Sequence, residues 1–132
     1  MLKWKENLSI GVADIDDQHM EIFRRINSLL SAMKDGRGEN ELAKVTAFLE
    51  EYVETHFAAE EELMNKIDYP DTELHVAMHN TFKEEMHAII DEIKTNGVNK
   101  ALVIKTNSRL GLWWIDHINK VDKKIGVYNN KQ

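Results

Sequence analysis

The stretch Val53-Glu54-Thr55-His56-Phe57-Ala58-Ala59-Glu60, followed after Asp68-Tyr69-Pro70 by Thr72-Glu73-Leu74-His75-Val76-Ala77-Met78-His79, sets two pairs of metal-binding side chains on either side of one break. At i and i+4, His56 with Glu60, and His75 with His79, each project from one helix face about one turn apart. Pro70 disfavours helical geometry in the residue before it, so one helix stops there, and Asp71 or Thr72 can cap the next. Two helices joined by so short a turn run antiparallel.

The same apolar steps of three and four extend outward in both directions. Upstream, a second helix running roughly from Asn40 to Ile67 carries Leu42, Val45, Leu49, Tyr52, Val53, His56, Glu60, Leu63 and Ile67 inward. Before it, a first helix from about Asp17 to Lys34 carries His19, Phe23, Ile26, Leu30 and Met33, and stops at Asp35-Gly36-Arg37-Gly38. Downstream, the third helix carries His75, Met78, His79, Phe82, Met86, Ile89, Ile90 and Ile93 and meets Asn96-Gly97, the glycine expected past a helix end. Asn99 can cap a fourth, whose apolar phase is Leu102, Val103, Leu110, Trp113, Trp114, His117 and Val121. With one proline and no strand-like alternation, the fold class is all-α. The expected architecture is an up-down-up-down four-helix bundle over residues 17–123. Residues 1–14 form an N-terminal arm whose Trp4, Leu8, Ile10 and Val12 can cover the bundle, and residues 1–132 make a single domain.

Composition narrows the chemistry. Seventeen basic against 23 acidic residues leave a formal charge of −6, which argues against nucleic acid or an anionic membrane as partner. Cysteine is absent, so a metal site must use nitrogen and oxygen ligands. The first residues lack the apolar stretch of a signal peptide and no apolar run is long enough to span a bilayer, so the expected location is cytoplasmic.

The polar residues on the apolar stripes are the informative ones. His19, His56, Glu60, His75, His79 and His117 all occupy positions where an unpartnered imidazole or carboxylate is costly to bury. In the expected topology the start of helix one, the end of helix two, the start of helix three and the end of helix four share one end of the bundle. These residues can therefore converge, together with Asp122. Asp122 stands at i+5 from His117 and should diverge from it by roughly 140° on a regular helix, so the helix must end or distort there if Asp122 turns inward. Five imidazoles and two carboxylates exceed the needs of one tetrahedral zinc, and two metal ions explain the count. Iron leads the choice, with manganese or zinc as alternatives.

Ile15-Asp16-Asp17-Gln18-His19, His56-Phe57-Ala58-Ala59-Glu60-Glu61, Tyr69-Pro70, His75-Val76-Ala77-Met78-His79, Trp113-Trp114-Ile115-Asp116-His117-Ile118 and Asp122-Lys123, in that order and spacing, resemble the hemerythrin family and its single-domain bacterial members. The resemblance implies that His75, His79 and His117 bind one iron, that His19 and His56 bind another, and that Glu60 and Asp122 bridge them. A bridging oxo or hydroxo group completes the Fe2+/Fe3+ cofactor. The iron with two histidines keeps an open position, where dioxygen binds reversibly. Phe23, Phe57, Phe82, Trp113, Trp114 and Ile118 are candidates for the pocket wall. Trp114 departs from the family, which commonly has leucine there; an indole can narrow the pocket, donate a hydrogen bond or turn away. Glu61 and Glu62 are expected on a solvated face, His87 either on the surface or behind the ligands without binding metal, and Gln18 and Asp16 as residues that orient His19 or the arm.

The implied activity is non-catalytic oxygen storage or delivery by a monomer. Two other classes fit less well: an oxygen or nitric oxide sensing module acting through a partner protein, and a di-iron peroxidase or oxidase. The latter needs an electron source and a placed acid or base, and no residue beyond the ligand set offers one.

Overall fold

The computed structural model describes residues 2–131. Its helices are α1 (Ala13–Lys34), α2 (Gly38–Lys66), α3 (Thr72–Asn96), α4 (Lys100–His117) and the short α5 (Lys123–Asn130), and a π-helical turn, Ile118–Asp122, joins α4 to α5 without a break. A single 3-10 turn, Glu6–Leu8, precedes them, and no strand occurs among the described residues. The fold is the all-α bundle expected, with sequence neighbours antiparallel.

Local chemistry explains each reversal. After α1, Gly36 adopts φ 75°, and the N–H of Arg37 reaches Ala32 O at 2.7 Å while that of Gly36 reaches Met33 O. This is the Schellman closure that satisfies two carbonyls left over at a helix end. The end of α2 closes the same way, with Asp68 at φ 52° in the left-handed position and Tyr69 N–H on Met64 O at 2.9 Å. Asn99 caps α4 as expected, accepting from Leu102 N–H at 2.8 Å. The start of α3 differs: Asp71 occupies the N-cap position without capping, and the Thr72 hydroxyl donates back to Tyr69 O at 2.6 Å. The turn is so tight that its own carbonyl claims the hydroxyl first.

The apolar half of the bundle holds Ile22, Leu29, Leu42, Leu49, Val53, Phe82, Val103 and Leu110 in one buried cluster. Burying each such side chain contributes about 1.5–3 kcal/mol. On α1 the most buried apolar positions are Ile22 and Leu29, while Leu30 and Met33 are half-buried. This helix packs against both α2 and α4, so its inward face is broader than one stripe.

The arm is shorter than expected, because α1 begins at Ala13 rather than Asp17. Asp16 is the reason: its carboxylate accepts the Ile10 N–H at 2.9 Å and the Ser9 hydroxyl at 2.5 Å, clamping the arm onto the first turn. Leu8 and Ile10 are buried and Trp4 packs edge-on to Phe23 at 5.8 Å. The helical continuation past Asp122 extends the bundle beyond residue 123 and brings α5 against this arm. There Gly126 lies so close to Ile10 that an added Cβ would stand 1.9 Å from the Ile10 carbonyl oxygen. Among the described residues, no helix is long and apolar enough to cross a membrane.

Candidate metal centre

Four helices and the π-helical turn deliver seven side chains to one end of the bundle. His19 comes from the second turn of α1, His56 and Glu60 from late α2, His75 and His79 from the first two turns of α3, His117 from the last residue of α4, and Asp122 from the π-helical turn. All are buried, Glu60 and Asp122 at 0% exposure. The i+5 spacing of His117 and Asp122 is resolved by that π turn, in which Lys123 N–H bonds to Ile118 O five residues back. A π turn takes up one extra residue, so i+5 regains the inward phase that i+4 has in an α-helix.

The side chains form two groups that share both carboxylates. Nitrogen and oxygen atoms of Glu60, His75, His79, His117 and Asp122 lie within 4.8 Å of one another, as do those of His19, His56, Glu60 and Asp122. Each carboxylate divides its oxygens between the groups. Asp122 turns Oδ1 toward His75 Nε2 at 3.0 Å and His117 Nε2 at 3.1 Å, and Oδ2 toward His19 Nε2 at 3.1 Å. Glu60 turns Oε1 toward His79 Nε2 at 3.0 Å and Oε2 toward His19 Nε2 at 3.5 Å and His56 Nε2 at 3.7 Å.

Despite this proximity, the Nε2 atoms of all five histidines and both oxygens of both carboxylates have no hydrogen-bond partner. Buried polar atoms are almost always satisfied, and leaving nine of them open in one cluster is untenable unless something else binds them. Imidazole nitrogen with carboxylate oxygen suits a borderline transition metal such as iron, and two ions match two groups bridged by two carboxylates. The residues present therefore fit a dinuclear metal cofactor.

Charge in the cluster is strongly redistributed. Burial pulls His19 and His75 down, yet the Asp122 and Glu60 carboxylates beside them outweigh it and raise both from 6.5 to about 9. Burial lowers His56 to about 4, only partly offset by Glu60. Burial pushes Glu60 and Asp122 up, and Asp122 raises Glu60 further, but the surrounding histidines outweigh this and hold both below the usual carboxylate range. Metal ions bound here displace the protons on His19 and His75.

Outer partners fix the imidazoles. Gln18 Oε1 accepts from His56 Nδ1 at 2.6 Å, and Glu61 Oε2 accepts from His79 Nδ1 at 3.0 Å, which leaves each Nε2 facing inward as a lone-pair donor. Two expectations need correction here. Glu61 is not merely a solvated residue: from α2 it reaches the neighbouring helix, a pairing that spacing within one helix cannot reveal. Gln18 orients His56 rather than His19, across the α1/α2 contact, while Asp16 serves the arm. Glu62 and His87 are exposed, as expected.

Rings line the cluster. Phe57 stacks on His79 at 3.7 Å with planes 3° apart, and Trp113 stacks on His117 at 4.3 Å and 13°. Trp114, fully buried, lies 5.7 Å from His56 and 6.3 Å from His19. Phe82 backs Trp113 at 4.2 Å, and Ile118 is buried beside His117. Phe23 is buried too, and its ring partner is Trp4 in the arm.

Comparison with known proteins agrees with this geometry. A family profile described as "Hemerythrin HHE cation binding domain" matches residues 10–126. A bacteriohemerythrin of Methylococcus capsulatus is 34% identical over 119 residues, covering 89% of this chain and 86% of that protein. A bacteriohemerythrin of Pseudomonas aeruginosa is 36% identical over 81 residues, 61% of this chain; the match spans only about half, 52%, of that protein's length. A hemerythrin-like protein of Naegleria gruberi is 26% identical over 121 residues, covering 92% of this chain and 87% of that one.

Proposed function

The chain belongs to the hemerythrin family, and from that premise we propose that it binds dioxygen reversibly at a di-iron centre, as a store or carrier rather than an enzyme, in a single domain working in the cytoplasm. His75, His79 and His117 hold one iron, His19 and His56 the other, and Glu60 and Asp122 bridge the two. The observation that carries this reading is the division of each carboxylate between the two histidine groups, with every inward atom lacking a hydrogen bond. Five protein side chains serve the first group and four the second, so the His19/His56 side keeps the position for an exogenous ligand.

When bound, two ferrous ions would supply the two electrons that reversible dioxygen binding needs, one each, and a bridging hydroxo group the proton. The protein's share is positional and dielectric. Gln18 and Glu61 hold His56 and His79 in the coordinating tautomer, and Phe57, Trp113 and Trp114 exclude water from the imidazoles. Among the described residues, no titratable side chain beyond the seven and their outer partners stands in the cluster to drive turnover, which favours a carrier over a peroxidase or oxidase.

Metal analysis combined with visible spectroscopy tests the proposal. The reduced protein is expected to contain two irons per chain and to develop a charge-transfer band in air that disappears under argon. Irreversible conversion to a diferric spectrum would point to an enzyme or sensor, and a protein that takes up no iron would overturn the site.

A further inference from the structure

The indole nitrogen of Trp114 stands out once the seven side chains are set aside. Apart from their atoms, the buried side-chain nitrogens and oxygens without a hydrogen bond among the described residues are Trp114 Nε1 and Thr106 Oγ1. A threonine hydroxyl can rotate and can also accept, whereas an indole N–H only donates and its direction is set by the ring. The ring is 0% exposed, so bulk solvent does not reach it. It is packed by Phe82 at 5.4 Å and Phe57 at 5.8 Å, which leaves it no freedom to swing toward solvent.

Its place relative to the two histidine groups gives the orphan a use. The ring centroid lies nearest His56, at 5.7 Å, with His19 and His117 each at 6.3 Å, so among the histidines the indole packs most closely on one from the group with fewer protein ligands. Among Trp114, His56 and Phe57, whose rings pack together, only Trp114 brings an uncommitted donor.

Resting on the di-iron reading above, we propose that Trp114 is a specificity-determining residue: its N–H donates a hydrogen bond to the outer atom of a small ligand held on the His19/His56 side. The pocket thereby selects ligands that carry an acceptor at that end, such as dioxygen or a small linear anion, over isosteric ligands that do not. The indole is also a rigid, fully buried wall, so bulk and hydrogen bonding act together and must be separated by experiment.

Azide is the probe. The iron-loaded, oxidised protein is titrated with azide alongside Trp114→Phe, which keeps most of the bulk and removes the donor, and Trp114→Leu, which removes both. Iron content is measured in parallel. Azide affinity is expected to fall roughly three- to tenfold in Trp114→Phe, the worth of one hydrogen bond, with two irons retained. In the unsubstituted protein, the indole hydrogen-bond marker in ultraviolet resonance Raman, taken as the difference from Trp114→Phe, is expected to shift toward stronger bonding on azide addition. Undiminished azide affinity in Trp114→Phe, whatever Trp114→Leu does, or a marker that does not move, overturns the assignment while leaving the di-iron reading intact. Unsubstituted protein that fails to hold two irons overturns that reading, and this one with it.

Discussion

Glu61 shows how much one residue outside the seven contributes. Its carboxylate accepts from His79 Nδ1 at 3.0 Å, so it fixes the ring and makes Nε2 a stronger donor to a metal. Glu61→Ala is expected to weaken metal retention about 10–100-fold, read by competition with a chromophoric chelator, with the fold preserved. Gln18 plays the same part for His56, but as a neutral acceptor. Glu60 stands in a different class because it is shared by both histidine groups. Glu60→Ala should reduce iron below two per chain and destabilise the metal-free protein by roughly 3–5 kcal/mol, since the imidazoles of His19 and His75 lose a buried counter-charge. Metal analysis and a denaturant melt check both effects.

At the scale of elements, the π-helical turn Ile118–Asp122 does two things. It rotates Asp122 into the cluster, and it lets the helix run on into α5 instead of stopping. That continuation buries Ile125 and lays Gly126 against the backbone of Ile10, with Gly11 and Asn130 close by. The arm is thus gripped from two sides, by Asp16 on α1 and by the bare backbone of α5. Gly126→Ala cannot be accommodated without moving one of them, because the clash is with backbone rather than a flexible side chain. It is expected to cost about 1–3 kcal/mol and to expose the arm to protease, measured by thermal melts and limited proteolysis. Because Asp122 is only four residues upstream, the same variant should also loosen iron.

For the whole molecule, the charged cluster makes stability depend on pH in a way that metal should cancel. In the metal-free protein His19 and His75 are raised from 6.5 to about 9, so their contribution is complete below pH 6.5 and is lost as pH rises through 9. His56 is lowered from 6.5 to about 4, so its contribution is present above 6.5 and disappears as pH falls toward 4. Glu60 and Asp122, both depressed, lose theirs at still lower pH. The chelated protein should therefore be most stable near pH 6.5 and less so by pH 9. Iron-loaded protein, whose imidazoles carry metal instead of protons, should melt higher and lack the decline between pH 6.5 and 9. Thermal melts of both forms across that range decide it.

The four bundle helices, their order and their reversal points follow from local rules, and they were legible: Gly36, Pro70, Gly97 and Asn99 act on neighbours a few residues away, and apolar steps of three and four mark inward faces. Bringing His19, His56, Glu60, His75, His79 and His117 to one end follows from the same rules plus antiparallel topology. What escaped the sequence lies between helices or departs from regular geometry. The π turn that aims Asp122 depends on backbone hydrogen bonds that tertiary packing favours over the α pattern. The reach of Glu61 to His79 and of Gln18 to His56, the grip of α5 on the arm, and the burial of the Trp114 N–H without an acceptor are contacts between segments far apart in the chain. Periodicity reports on one helix at a time, so it names the face a residue occupies; only packing decides which partner that face meets.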